Sequence, residues 1–190
     1  MGWKICYSYS QGDYNMIFTE TKLSGSYVIE IEKVKDERGF FSRTFDKKEF
    51  SKKGLDSEFV QSSVSQNKKK GTIRGMHYQI KPFEETKLVR CTKGKIFDII
   101  IDLRQDSKTF KEWFSIELSQ ENYKILYIPK GFAHGFQTLE HNSEVYYNIS
   151  QFYNSQYSKG IRWDDKTFNI KWPHDISIIS QKDLFYTEFI

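Results

Sequence analysis

The run KLVRCTKGKIFDIIIDLR, residues 87–104, contains two apolar segments of strand length on either side of Gly94. In the second segment Phe97, Ile99 and Ile101 alternate with Ile96, Asp98 and Ile100. A period of two places successive side chains on opposite faces of a β-strand. Because both faces of this segment are largely apolar, the run predicts two consecutive strands, the second of which lies centrally in a sheet.

Runs of the same kind recur outward from this stretch, each ended by Gly, Asn, Lys or Pro. They are VIEIEKV (28–34), FVQSSVS (59–65), GTIRGMHYQI (71–80), WFSIEL (113–118), YKILYIP (123–129), AHGFQTL (133–139) and EVYYNISQFY (144–153). A spacing of about ten residues is typical of an antiparallel sandwich or barrel. The pattern therefore predicts an all-β fold with two layers and a few short peripheral helices.

One helix is indicated by DKKEFSKKG, residues 46–54. Asp46 is a favourable N-cap, Glu49 follows three residues later, and Gly54 provides a stop. The aromatic-rich end of the chain is less regular, and its apolar side chains are predicted to plug one end of the barrel: Trp163, Phe168, Ile170 and Trp172.

The chain of 190 residues is long enough for one hydrophobic core. Residues 1–15 show no period and are interpreted as an N-terminal extension, with Met16 as an alternative start, and residues 16–190 as a single domain. There is no apolar stretch of membrane-spanning length and no signal-peptide pattern, so the expected location is the cytoplasm, without a membrane partner.

The net charge is +4, with a basic run at residues 68–70. This excess suits a phosphorylated ligand but is too small to indicate nucleic acid. Cys6 and Cys91 lie far apart and predict neither a disulfide framework nor a metal knuckle.

Two of the four histidines, His77 and His134, lie in apolar strand contexts beside glycines. In RGMHYQ, residues 74–79, alternation places His77 and Gln79 on one strand face, with Arg74 at the strand start. A polar face inside a barrel usually contacts a ligand. The alternative for His77 is that of a core histidine with a satisfied hydrogen bond.

Metal and nucleophilic chemistry are weakly supported. No H-x-H occurs, and no third ligand has convincing spacing from His77 and His134. Cys91 lies within a strand without an evident base, and no G-x-S-x-G elbow is present. Acid–base chemistry remains, for which His77, a tyrosine, and Lys87 or Arg74 supply a base, an acid and a cation.

Five ordered segments extend these observations: DERGFFSRTF (36–45), RGMHYQ (74–79), KLVRCTKGKIFDIIIDLR (87–104), IPKGFAHGF (128–136) and WDDKTFNIKWP (163–173). Together they resemble the dTDP-4-dehydrorhamnose 3,5-epimerase family across residues 16–184. The resemblance implies a double-stranded β-helix, also called a cupin or jelly-roll barrel, that needs no cofactor and no metal and forms a homodimer. It also implies inversion of C3 and C5 of a nucleotide-linked 4-keto-6-deoxy sugar.

The resemblance implies roles for particular residues. His77 is similar to the family base, Asp183 to its carboxylate partner, Tyr147 to the acid on the opposite face, and Lys87 to the cation that neutralises the enolate; Tyr146 is the alternative acid. The expected substrate contacts are Arg38 and Arg74 for the diphosphate, His134 and Gln79 in the sugar pocket, Gln61 and Ser63 near the nucleobase, and Phe41 and Tyr153 stacking on it.

The sequence departs from the family pattern among the nucleotide contacts. Arg43 stands where the family has an acidic residue, Ser62 and Ser63 replace an Asp-Asn pair, and Asn148 replaces a lysine. A reversed local charge changes which ligand is favoured. These changes predict that the chemistry is retained, and they leave open which sugar nucleotide is the substrate.

Three alternatives follow from the same residues. They are a single-centre epimerase acting at C3 or C5 alone, a barrel that binds the sugar nucleotide without turnover, and a metal-dependent cupin enzyme. The homodimer is expected to form through an edge strand such as residues 28–34.

Overall fold

The computed structural model describes residues 15–189 and is almost entirely antiparallel β-structure. Its strands are β1 Met16–Glu20, β2 Tyr27–Ile31, β3 Val34–Asp36, β4 Gly39–Phe41, β5 Gln61–Asn67, β6 Ile73–Gln79, β7 Lys87–Lys93, β8 Lys95–Asp102, β9 Trp113–Ser119, β10 Ile125–Ile128, β11 Phe132–Thr138, β12 Ser143–Ile149 and β13 Ser158–Gly160. The helices are α1 Lys47–Lys52 and α2 Gln181–Leu184.

Two sheets form the body of the fold. One has the strand order β1-β2-β10-β7-β12-β5 and the other the order β13-β6-β11-β8-β9. From β5 to β12 the chain crosses repeatedly between the sheets, so strands that are neighbours in a sheet come from distant parts of the sequence. This is the winding of a double-stranded β-helix, and it confirms the predicted all-β barrel class.

The central position of β8 is also confirmed. Ile96 and Ile100 belong to the cluster between the two sheets, whereas Ile99 and Ile101 belong to a cluster on the outer face of the five-stranded sheet. All four side chains are fully buried. Alternation along a strand with both faces covered produces this division.

The prediction that the apolar side chains of residues 163–172 plug one end of the barrel is wrong. Phe168, Ile170 and Trp172 pack on the outer face of the five-stranded sheet against the cluster of Ile99 and Ile101. That face is apolar and has to be covered, and the C-terminal part of the chain covers it.

Helix α1 is confirmed within the predicted segment. The Asp46 side chain accepts hydrogen bonds from the backbone N–H groups of Lys48 (2.9 Å) and Glu49 (3.3 Å). Phe50 on its inner face is fully buried in a third cluster, which covers the outer face of the six-stranded sheet. The cap fixes the start of the helix, and Phe50 attaches it to the sheet.

The single strand predicted over residues 28–34 is instead two elements. Strand β2 ends at Ile31, and Val34 begins β3 of a separate hairpin whose turn lies at residues 37–38. Strand β2 pairs with β1 on one side and β10 on the other, so it is not an edge strand. Within the described residues the edges of this sheet are β1 and β5.

The proposed N-terminal extension falls almost entirely on residues 1–14, outside those described. Among residues 15–189, no helix is both long and apolar enough to cross a membrane.

Candidate active site

The site begins where the neighbouring strands β6 and β11 come close together at two glycines. A Cβ on Gly75 would lie 2.5 Å from Gly135 Cα, and a Cβ on Gly135 would lie 2.8 Å from Arg74 O. Gly75 also has φ +123°, which side chains rarely tolerate. The backbones of β6 and β11 therefore lie closer together than any residue with a side chain would allow. In the register of the two strands, His134 lies opposite His77.

A cavity of about 520 Å³ opens beside these strands, between the two sheets. Its wall includes ten of the residues proposed from the sequence: Gln61, Ser63, Arg74, His77, Gln79, Lys87, His134, Tyr147, Tyr153 and Asp183. A polar wall in an otherwise apolar barrel indicates a ligand site.

His77 and Asp183 form a hydrogen-bonded pair, with His77 Nε2 2.6 Å from Asp183 Oδ1. Asp183 lies in α2, and its other carboxylate oxygen accepts from Gly75 N–H at 3.3 Å. Burial favours a raised pKa for Asp183, but hydrogen bonds from His77, Gly75 and Ser180 outweigh it and lower the pKa. An ionised carboxylate only accepts, so Nε2 carries the proton and Nδ1 has the free lone pair.

Tyr147 enters from the opposite sheet, on β12. Its ring packs edge-on against His134, with centroids 6.1 Å apart. Burial raises the pKa of the Tyr147 phenol far above its ordinary value; Asp98 adds to the rise and Arg74 opposes it. The phenol therefore keeps its proton at any physiological pH.

Tyr146, the alternative acid, faces the other way. The Arg90 guanidinium lies 5.7 Å from its ring centroid, and Tyr146 is not part of the cavity wall. Alternation along β12 thus places Tyr147 in the cavity wall and Tyr146 on the opposite face of the strand.

His134 has a carboxylate partner that sequence reasoning missed. Its Nε2 lies 2.8 Å from Oδ1 of Asp98, which is fully buried on β8. Burial raises the pKa of Asp98, although His134 and Lys87 oppose the shift, and its Oδ2 has no hydrogen-bond partner among the described residues. The sequence marks Asp98 only as a lone carboxylate in the apolar run FDIII, residues 97–101. A carboxylate in such a run is rarely buried unless it has a partner.

The cationic side chains of the cavity wall, Lys87 and Arg74, also have polar partners. Lys87 Nζ lies 2.8 Å from Glu85 Oε1, and Glu85 Oε2 accepts from Gln79 at 2.8 Å. Arg74 Nε donates to Asn67 Oδ1 at 2.7 Å. Glu85 comes from the loop before β7, where no sequence pattern marks it.

At the cavity rim, the Gln61 side-chain oxygen accepts from the Tyr153 backbone N–H at 2.9 Å. The Tyr153 side chain is mostly exposed. The structure does not bring the other proposed nucleotide contacts to this wall. Arg38 and Phe41 lie in the β3–β4 hairpin and Arg43 follows it, where Arg38 pairs with Asp36 and Arg43 with Asp46.

Other chemistries find less support in the described part of the chain. Among residues 15–189, no three His, Cys, Asp or Glu side chains converge as they would around a metal ion. Burial raises the pKa of Cys91 to about 12, so this thiol is not a ready nucleophile.

The fold and the site thus define a β-barrel isomerase, with His77 on one sheet and Tyr147 on the facing sheet in the wall of one cavity. The profile of the dTDP-4-dehydrorhamnose 3,5-epimerase family matches residues 20–189. The chain belongs to this family of carbohydrate epimerases, which confirms the resemblance found in the sequence.

Individual relatives agree. The chain is 41% identical over 172 residues to the dTDP-4-dehydrorhamnose 3,5-epimerase of Shigella flexneri, covering 90% of this chain and 94% of the relative. The crystal structure of the Bacillus anthracis enzyme, with TDP and PPi bound, superposes with a TM-score of 0.89 at 39% identity and covers 92% of this chain and 100% of that one. The crystal structure of a Legionella pneumophila dTDP-6-deoxy-D-glucose-3,5-epimerase, in complex with dTDP-4-keto-L-rhamnose, superposes with a TM-score of 0.84 at 35% identity. It covers 89% of this chain and 90% of that one.

The tautomer of His77 provides a test of the pair. In Asp183→Asn, the side-chain oxygen accepts from Gly75 N–H and the amide NH₂ donates to Nε2, so the imidazole proton moves to Nδ1 and the free lone pair moves to Nε2. Nitrogen-15 NMR of the imidazole at neutral pH should show the proton on Nε2 in the wild type and on Nδ1 in the variant. The same tautomer in both proteins would contradict the arrangement.

Proposed function

We propose that the chain inverts C3 and C5 of a dTDP-linked 4-keto-6-deoxy sugar by removing and returning protons through an enolate. The observation that carries the proposal is the placement of His77 on β6 and Tyr147 on β12, in facing sheets and in the wall of one cavity. Inversion at carbon needs a proton removed from one face and another delivered to the opposite face.

The base step follows from the His77–Asp183 pair. Nδ1 of His77 takes the proton from the carbon beside the C4 ketone, and the bonding electrons move onto the C4 oxygen as an enolate. The Asp183 carboxylate holds the ring through Nε2 and stabilises the imidazolium that forms. Lys87, buried in the cavity wall, supplies positive charge for the enolate oxygen.

The acid step follows from Tyr147. Its phenol gives a proton to the carbon on the face away from His77, the enolate electrons return to form the new C–H bond, and the ketone is restored. The phenolate regains a proton from solvent, and His77 loses its proton to solvent. Burial keeps the phenol protonated, so it is available as the acid before each inversion.

The bound molecules of the relatives support a thymidine nucleotide. TDP is bound in the Bacillus anthracis structure and dTDP-4-keto-L-rhamnose in the Legionella pneumophila structure. In this chain Arg74, Gln61, Ser63 and Tyr153 lie at the same cavity and are the proposed contacts for the nucleotide part. We also propose a cytoplasmic location, because nucleotide sugars are made from nucleoside triphosphates there.

The hairpin residues support a homodimer. Arg38, Phe41 and Arg43 are similar to nucleotide contacts of the family, yet they lie on an element that does not line the cavity of its own chain. A symmetric dimer allows each chain to supply its hairpin to the site of the other. We propose that the β3–β4 hairpin acts in this way.

Loss of the base should abolish carbon–hydrogen exchange. In D₂O with dTDP-4-keto-6-deoxyglucose, His77→Ala should incorporate deuterium about 10² to 10⁴ times more slowly than the wild type. The control is His141→Ala, an exposed histidine outside the cavity wall. Mass spectrometry should count two deuterium atoms per wild-type product, and one would indicate the single-centre alternative. Exchange by His77→Ala at the wild-type rate would refute the mechanism.

Co-expression tests the shared site. His77→Ala and Arg38→Ala chains should each turn over slowly as homodimers. Heterodimers contain one site with both defects and one intact site, so the mixture should recover about a quarter of wild-type activity. Activity no higher than the mean of the two variants, or a monomer in sedimentation, would contradict the proposal.

A further inference from the structure

Tyr186 fills a space beside His77 that exists because residue 160 is glycine. Gly160 lies opposite His77 in the β13–β6 ladder. A Cβ built on Gly160 would overlap Cε2 and Cζ of the Tyr186 ring, and the backbone of Gly160 does not itself require glycine. The close packing of the Tyr186 ring against the backbone therefore explains why residue 160 is glycine.

The Tyr186 ring also packs against the imidazole. The ring centroids of His77 and Tyr186 lie 6.0 Å apart at an interplanar angle of 71°, an edge-on arrangement. The Tyr186 hydroxyl is buried, and the Lys182 side chain lies beside it, with Nζ 5.9 Å from the ring centroid. Tyr186 does not line the cavity.

The His77–Asp183 hydrogen bond alone leaves the imidazole incompletely fixed. The His77 side chain is 40% exposed, and the bond to Asp183 restrains it at Nε2. A ring held at one atom can still swing about that contact, which moves Nδ1. A packed aromatic edge beside the ring removes this freedom.

We propose that Tyr186 is a positioning residue for His77, and that Gly160 is kept small to admit it. Asp183 and Tyr186 are three residues apart in the C-terminal segment, so this segment supplies both the hydrogen bond and the packing surface of the base. The inference rests on the proposed function for its kinetic test, but not for its spectroscopic test.

The first experiment removes the ring. Tyr186→Ala should lower kcat for deuterium exchange between about 10-fold and 100-fold, as expected when a reacting group is misplaced by about 1 Å. KM should stay within about twofold, because Tyr186 does not line the cavity. Tyr186→Phe, which keeps the ring, should restore kcat relative to Tyr186→Ala.

The second experiment adds a Cβ atom at residue 160. Gly160→Ala should cause a similar loss of kcat, because its Cβ displaces the ring. Once Tyr186 is alanine, the added methyl group meets no ring, so Gly160→Ala/Tyr186→Ala should be no slower than Tyr186→Ala alone. Two losses that multiply in the double variant would overturn the proposal.

The matched control is Phe189→Ala. It also removes an aromatic ring from the C-terminal segment, one that packs on Phe168 with centroids 5.5 Å apart rather than on His77. It should lower the melting temperature without the loss of kcat. An equal loss of kcat in Phe189→Ala would indicate general loosening of the segment and would overturn the positioning role.

Nitrogen-15 NMR separates this inference from the proposed function. In Tyr186→Ala nitrogen-15 relaxation of the His77 imidazole should show increased motion of the ring, whereas in Phe189→Ala the ring motion should match the wild type. Unchanged ring motion in Tyr186→Ala would refute the positioning role. If the wild type showed no deuterium exchange, the proposed function would fail, and the ring motion would still decide whether Tyr186 fixes the imidazole.

Discussion

The close approach of β6 and β11 at Gly75 and Gly135 is the constraint on which the site depends. It aligns His77 with His134 in neighbouring strands, and it turns the Gly75 N–H towards the carboxylate of Asp183. One close contact between neighbouring strands thus positions His77, its carboxylate partner and a second cavity histidine. Any side chain at either glycine would push the strands apart.

The two His–Asp pairs of the cavity differ in their electrostatics although their distances are similar. Asp183 receives hydrogen bonds from His77, Gly75 and Ser180, and its pKa is lowered. Asp98 is more deeply buried, keeps one oxygen without a partner among the described residues, and has a raised pKa. The ionised carboxylate of the first pair suits the role of base that we propose for His77. The second suits a fixed support for His134, which in turn packs against Tyr147.

Much of the fold and part of the candidate site could be predicted from the sequence, because strand periodicity and the motif RGMHYQ are local signals. The central strand β8, helix α1 and the face of β6 that bears His77 follow directly from alternation and capping. The partners of the polar groups could not be predicted, because Glu85 and Asn67 meet Lys87 and Arg74 only through the folded arrangement of loops and strand ends. The division of residues 28–34 between two elements was missed, because imperfect alternation continues across the break.

The central claim is that His77 and Tyr147 act on opposite faces of one enolate. The most direct measurement is proton NMR of Tyr147→Phe with the 4-keto sugar nucleotide in D₂O, following exchange and inversion at the same time. Since His77 can still remove a proton and return a deuteron on its own face, exchange should continue while inversion falls by about 10² or more. Inversion that keeps pace with exchange in this variant would contradict the assignment of Tyr147 as the acid.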